Sequence, residues 1–305
     1  MPVTKLMRVV ITVADLDRAT RFFGVGLGLE VAPETRFCDA QWNGLLGLDP
    51  RTIMRTADIR FQREGLTLAA FDPPGVPYPE PRASNDPWFE HVALVAGDIQ
   101  AVWARLEKAG PETVTAHGPV LLPPNTGRVS AFKFRDFEGH PLELIAFPQG
   151  VGDPRWQHGS AGIRGFDHTA IAVSDLDRSL AFYTGLLGMR VGGRSLNQGP
   201  EQDRLDGLSG CLVDVVALQP LSQPTPHVEL LHYRSPQGRT AVAAPHANDV
   251  ASVRQVHKVD DLEGLVRRLE AADVVFVSDG LVCLADGGNG AAVRDPDGHL
   301  IVLLD

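Results

Sequence analysis

The chain repeats itself. Residues 13–31 (VADLDRATRFFGVGLGLEV) align without a gap on residues 173–191 (VSDLDRSLAFYTGLLGMRV), at an offset of 160. Val, Asp-Leu-Asp-Arg, Phe, Leu-Gly and Val recur in register. A weaker echo joins the other two quarters. Asn85-Asp86 precedes WFEHVALVAGDIQAVWARLEKAG, and Asn248-Asp249 precedes ASVRQVHKVDDLEGLVRRLEAAD. Those two quarters close on related phrases, RDFEGHPLELIAF at 135–147 and RDPDGHLIVLLD at 294–305. Self-similarity at a fixed spacing means that one supersecondary unit is used several times and must stack on its copies to bury a core. The units run about 5–75, 85–148, 164–236 and 248–305.

Each unit opens with an apolar run rich in β-branched residues, which predicts a strand. An aspartate followed by Leu or Ile comes next, placed to cap a helix. Leu16, Ala19 and Phe23 fall at helical spacing, as do Leu176, Leu180, Tyr183 and Leu187. Shorter strands follow. The Gly-rich segment QGVGDPRWQHGSAG between units two and three reads as a linker, and the Pro-rich FDPPGVPYPEPRASNDP joins units one and two. This divides the chain into 1–148, a linker at 149–163, and 164–305, an ordinary size for two domains.

Two positions per unit repay comparison. The first lies on the opening strand, seven residues before the capping aspartate, and holds Arg8, His91, His168 and Arg254 in turn. The second, on the closing strand, holds Thr67, Glu143, Glu229 and Val302. Only the middle units carry a histidine with a glutamate. Side chains alternate across a strand. His168 therefore shares a face with Ala170 and Ala172, opposite Thr169, Ile171 and Val173; Glu143 faces away from Leu142 and Leu144, and Glu229 from Val228 and Leu230. An ionised glutamate within an apolar strand is costly unless paired or metal-bound. Two of them with two histidines at matching positions make a metal site the natural compensation.

On these residues the chain resembles the vicinal-oxygen-chelate (glyoxalase, bleomycin-resistance and extradiol-dioxygenase) superfamily over nearly its whole length. The resemblance implies an α+β fold of four βαβββ modules, in two tandem domains with cupped mixed sheets. It implies one divalent metal ion (Zn, Ni, Co, Mn or Fe) held by His91, Glu143, His168 and Glu229, with open positions for two adjacent substrate oxygens. All four ligands share one cup only if module two pairs with three, which leaves the cup of modules one and four without any. The expected chemistry is that of a lyase or isomerase, similar to glyoxalase I or an epimerase. The metal is a Lewis acid for an enediolate-like intermediate, and Glu143 or Glu229 is the base. Two alternatives stay open: an Fe(II) extradiol dioxygenase, against which Arg254 and Val302 stand, and a drug-binding protein of the bleomycin-resistance type.

The remaining features narrow the partners. With a net charge of −10 and no basic run, nucleic acid is not an expected ligand. No stretch reaches membrane-spanning length and the N-terminus lacks a signal peptide's apolar core. A cytoplasmic monomer or homodimer acting on a small molecule is the expectation. Cys38, Cys211 and Cys283 are odd in number and far apart, so they read as small buried apolar residues. His140 and His299 recur in the RD-x-x-GH phrases and read as turn residues. His227 shares its face with Glu229 and either lines the cup or lies exposed at its edge. Tyr233 reads as a core tyrosine, with a hydroxyl near substrate as the alternative; Arg8 and Arg254 face one another, either paired with acids or forming an anion pocket; 201–205 is either a lid or a solvent-facing loop.

Overall fold

The computed structural model describes residues 3–61, 63–239 and 243–305. Module one comprises β1 (Val3–Thr12), α1 (Leu16–Arg21), β2 (Thr35–Phe37), α2 (Ala40–Leu45), β3 (Ile53–Arg60) and β4 (Gly65–Asp72). Module two has β5 (Glu90–Ala96), α3 (Ile99–Leu106), β6 (Glu112–Thr113), β7 (Val120–Leu121), β8 (Ser130–Arg135) and β9 (Pro141–Ala146). Module three has β10 (Ile163–Ala172), α4 (Leu176–Leu180), β11 (Arg190–Gln198), α5 (Pro200–Asp206), β12 (Leu212–Gln219) and β13 (His227–Ser235). Module four has β14 (Val253–Val259), α6 (Leu262–Ala271), β15 (Val282–Cys283), β16 (Asn289–Arg294) and β17 (Leu300–Leu304). The four capping aspartates act as expected: the side chains of Asp15, Asp98, Asp175 and Asp261 each accept from a backbone N–H of the first helical turn. After α1 and α4 the chain continues through π-helical turns at Phe22–Gly26 and Ala181–Leu186, the same place in the repeat.

Within each module the first strand is parallel to the last, through β1–β4, β5–β9, β10–β13 and β14–β17. Between modules, first strands pair antiparallel: β1 with β14, and β5 with β10. One sheet therefore runs β15-β16-β17-β14-β1-β4-β3-β2 and the other β11-β12-β13-β10-β5-β9-β8-β6, with β7 on β8. Modules one and four share a sheet, and so do two and three. Each half of the chain contributes one module to each sheet.

Alternation along the strands sorts the side chains. A single large core takes Val9, Ile11, Leu142, Leu144, Val228, Leu230, Ile301 and Leu303 from both sheets, together with Leu16, Val102, Tyr183 and Leu265 from the helices. The opposite faces are lined by separate, smaller clusters. The two concave faces thus lie away from the shared core, α2 over one and α5 over the other.

The turns before the last strands lock the modules together. His140 approaches Asp136 Oδ2 through Nδ1 at 2.8 Å, and the carbonyl oxygens of Thr12 and Val250 through Nε2, both at 2.8 Å. One turn of module two thereby touches modules one and four. His299 repeats the arrangement: its backbone N–H donates to Asp295, its Nε2 faces the Ala172 carbonyl at 3.0 Å, and its Nδ1 lies 3.8 Å from Glu90. The cysteines depart from expectation, since Cys211 is buried while Cys38 and Cys283 are exposed on surface segments. The segment joining modules two and three is itself packed. Its Trp156 is buried against the second sheet, and its Arg155 pairs with Glu64 at 2.8 Å.

Candidate metal centre

The register of the second sheet assembles the cluster. His91 on β5 is level with Ala170 on β10, which is level with Glu229 on β13. Symmetrically, His168 is level with Ala93, which is level with Glu143 on β9. The two alanines at the centre carry no bulk, so imidazoles and carboxylates from both sides lean over them. His91 Nε2 is 3.0 Å from Glu143 Oε2, and His168 Nε2 is 3.6 Å from the same oxygen. Ligand atoms of His91, Glu143 and His168 all lie within 4.8 Å of one another. Glu229 stands at the edge of this trio, its Oε2 3.5 Å from His168 Nε2 and its Oε1 3.3 Å from His227 Nε2. All four expected residues line one cavity of about 210 Å³.

Two neighbours were not foreseen. Asp167 precedes His168 and by alternation belongs on the other face. β10 bulges there, since its pairing to β5 skips a residue between Phe166 and His168. The bulge turns Asp167 to the cup, where Oδ2 meets His168 Nδ1 at 3.2 Å and Oδ1 accepts from Trp156 Nε1 at 2.8 Å. A carboxylate on Nδ1 orients the ring and points Nε2 at the cluster, where its lone pair is free for a cation once the ring is neutral. β5 has no bulge, so Glu90, the same step before His91, turns to the core and meets Thr169 and Gln255 instead. The second neighbour is Lys133 on β8. It is buried, level with Glu143, and its Nζ donates to Asp206 of α5 at 2.7 Å. Of the residues with open readings, His227 is buried and forms a second close group with Asp167 and His168. Tyr233 is buried but faces the cavity, with a hydroxyl that has no partner among the described residues. In α5, Gln202 and Leu205 wall the cavity.

The electrostatics suit a cation. Burial opposes charge on both glutamates, yet the bonds from His168 and His91 hold Glu143 well below the carboxylate range. The charges of His168 and His227 lower Glu229 likewise. Burial keeps His91 below its ordinary value and hence neutral. Burial also disfavours charge on His168, but Glu229, Asp167 and Glu143 outweigh it and draw a proton onto the ring. Two carboxylate anions and a neutral imidazole are the forms in which these groups bind metal, and the proton on His168 is one a divalent cation would displace. The donor set fits such an ion, by its chemistry and by its convergence.

The first-and-last-strand positions of the other sheet contain none of this. Arg8 Nη1 lies 3.3 Å from Thr67 Oγ1 and 3.5 Å from Asp58, while Arg254 has no acidic partner among the described residues and Val302 is apolar. Arg8 thus has the acidic partner of the first reading, and Arg254 has none among the described residues.

Paired βαβββ modules, with histidine and glutamate gathered in one of two cups, define a vicinal-oxygen-chelate architecture. The chain belongs to the Glyoxalase/Bleomycin resistance protein/Dioxygenase superfamily, whose profile matches residues 5–144 and again 165–303. Members of this group generally use a divalent metal. The chain is 24% identical over 188 residues to a lactoylglutathione lyase of Arabidopsis thaliana, an alignment covering 61% of this chain and 56% of that enzyme's length. Glyoxalase I from Zea mays has a similar fold, with a TM-score of 0.63 at 16% identity over 99% of this chain and 92% of the other. A putative dioxygenase from Bacillus subtilis shares it at a TM-score of 0.57, 16% identity, and 99% and 85% coverage. No helix among the described residues is long and apolar enough to cross a membrane.

Proposed function

We propose that this protein is a divalent-metal-dependent lyase or isomerase with one working site, between modules two and three, for a small substrate offering two adjacent oxygens. The observation that carries the reading is the convergence of His91, Glu143 and His168 within 4.8 Å, with Glu229 beside them. His91, Glu143, His168 and Glu229 would hold the ion. Once bound, it supplies Lewis-acid polarisation of the substrate oxygens. The protein's own part is proton transfer. Glu143 is held by both histidines and suits a fixed ligand, whereas Glu229 is tied only on its flanks and is the freer carboxylate to take a proton from the carbon next to a carbonyl. His227, 3.3 Å from Glu229 Oε1, is placed to orient that carboxylate. Leu205, Val213 and Leu231 give this cavity an apolar wall beside the carboxylates.

The test is metal content and turnover together. As purified protein, the chain should carry about one divalent ion per chain by elemental analysis; His91→Ala with His168→Ala should lose it, and unchanged stoichiometry sinks the proposal. Lactoylglutathione lyase activity is the first assay, since the Arabidopsis relative bears that name. Glu229→Gln should keep metal and lose turnover by roughly 100-fold or more, the usual scale for a positioned general base.

A further inference from the structure

The cup of modules one and four is not filled in. It encloses a cavity of about 260 Å³ whose walls are apolar, from Met7, Trp42, Met54 and Val302 among others, with Arg8 and Arg254 the cations on its lining. Arg254 is 3% exposed. Its Nη1 donates to Thr12 Oγ1 at 2.8 Å and to the Ala247 carbonyl at 3.0 Å, and the guanidinium lies 5.4 Å from the Phe71 ring centroid. No carboxylate reaches it among the described residues. Arg8, by contrast, lies 3.5 Å from Asp58, so two guanidinium charges face the cavity against one carboxylate. A buried cation without a counter-ion is costly, and burial alone pulls the Arg254 pKa down to about 9. Arg254 stands at the place in its module that His91 and His168 occupy in theirs, seven residues before the capping aspartate. Here a fixed guanidinium takes the place of a metal ligand, and its planar donors suit a carboxylate.

We propose that this second cup is a binding site for a small apolar monocarboxylate, its carboxylate on Arg254 and its hydrocarbon or aromatic body against Trp42, Met54 and Val302. Because Asp58 already answers Arg8, the site has one unanswered positive charge, which favours a monoanion over a dianion or a neutral molecule. The site is separate from the metal cup and does not rest on the function proposed there.

Methionine methyls report on this cup, with a core methionine as the internal control. Of the four methionines, Met7 and Met54 line this cavity, Met189 is in the shared core, and Met1 lies outside the described residues. The full chain, labelled with ¹³C at the methionine methyls, is titrated with benzoate and with benzamide as its neutral counterpart. The expected result is a saturable shift at Met7 and Met54 without one at Met189, with benzoate at least about tenfold tighter than benzamide, the discrimination a charge-assisted pair supplies. The shift should persist with a chelator and in the His91→Ala, His168→Ala protein, and Arg254→Met should weaken benzoate by about tenfold or more. No saturable shift up to about 10 mM benzoate, an equal response to benzamide, or a benzoate response lost with the metal ligands would each overturn the proposal. If Arg254→Met does not fold, the benzoate–benzamide comparison in the unmutated chain decides alone.

Discussion

Lys133 and Asp206 come from different modules and are both buried, with 2.7 Å between Nζ and Oδ1. Burial disfavours the ammonium, but Asp206 and Glu143 outweigh it and raise its pKa. The same aspartate accepts from Gln202, so this pair anchors α5 on the wall of the metal cup. Replacing one partner strands a buried charge, whereas replacing both with apolar groups does not. Lys133→Met should therefore cost about 3–5 kcal/mol in urea unfolding, and adding Asp206→Leu should recover much of it. Simple additivity of the two losses would show that the pair is not coupled. Trp156 and Asp167 act at the same level: Trp156→Phe removes the donor to Asp167 Oδ1 and, through His168, should weaken metal binding by roughly tenfold in a chelator competition. An unaltered affinity would mean that Asp167 does not orient the ring.

Among the elements, the two RD-x-x-GH turns add a pH dependence of their own to that of His168. Both ring nitrogens of His140 face oxygen acceptors, which only the doubly protonated ring satisfies. Its pKa is raised because Asp136, with Glu138, outweighs burial, and Asp136 is correspondingly lowered. Burial opposes charge on His299 too, but Asp295 and Glu90 push it up to about 9. A raised folded-state pKa gives stability that is complete below the unfolded value of about 6.5 and fades as pH rises through about 9. For His299 the span corresponds to roughly 3 kcal/mol. The unfolding midpoint should therefore fall between pH 6.5 and 9, and His299→Gln should flatten that slope while lowering the plateau. A wild-type midpoint independent of pH across the window would contradict the charged-ring assignment.

For the molecule, the crossed pairing of modules is the property with most consequence. β1–β14 and β5–β10 both join the first half of the chain to the second, and one core spans both sheets. Gln149 and Gly150 are exposed, so a protease site inserted there is accessible without disturbing Trp156. Cleavage should leave a single particle that elutes with the uncut protein on gel filtration, with its metal retained. Separation into two halves under native conditions would mean that the inter-module strands do not hold the assembly.

The repeat, the capping aspartates, and the four positions at His91, Glu143, His168 and Glu229 are legible in the chain because they follow local rules: a constant offset, helix capping, and two-residue alternation along strands. That the middle modules share a cup followed from where ligands were missing. What escaped were features set by contacts between distant segments. Asp167 turns to the cup because β10 bulges against β5, which strand alternation cannot anticipate. Trp156 looks like linker until the sheet it covers exists, and Cys38 and Cys283 look burial-prone until the surface is drawn around them. Lys133 meets Asp206 across 73 residues, and Asp58 lies beside Arg8 while Arg254 has no acid among the described residues. Periodicity along one chain determines which face a side chain takes. Only the pairing of one strand with another determines what waits on that face.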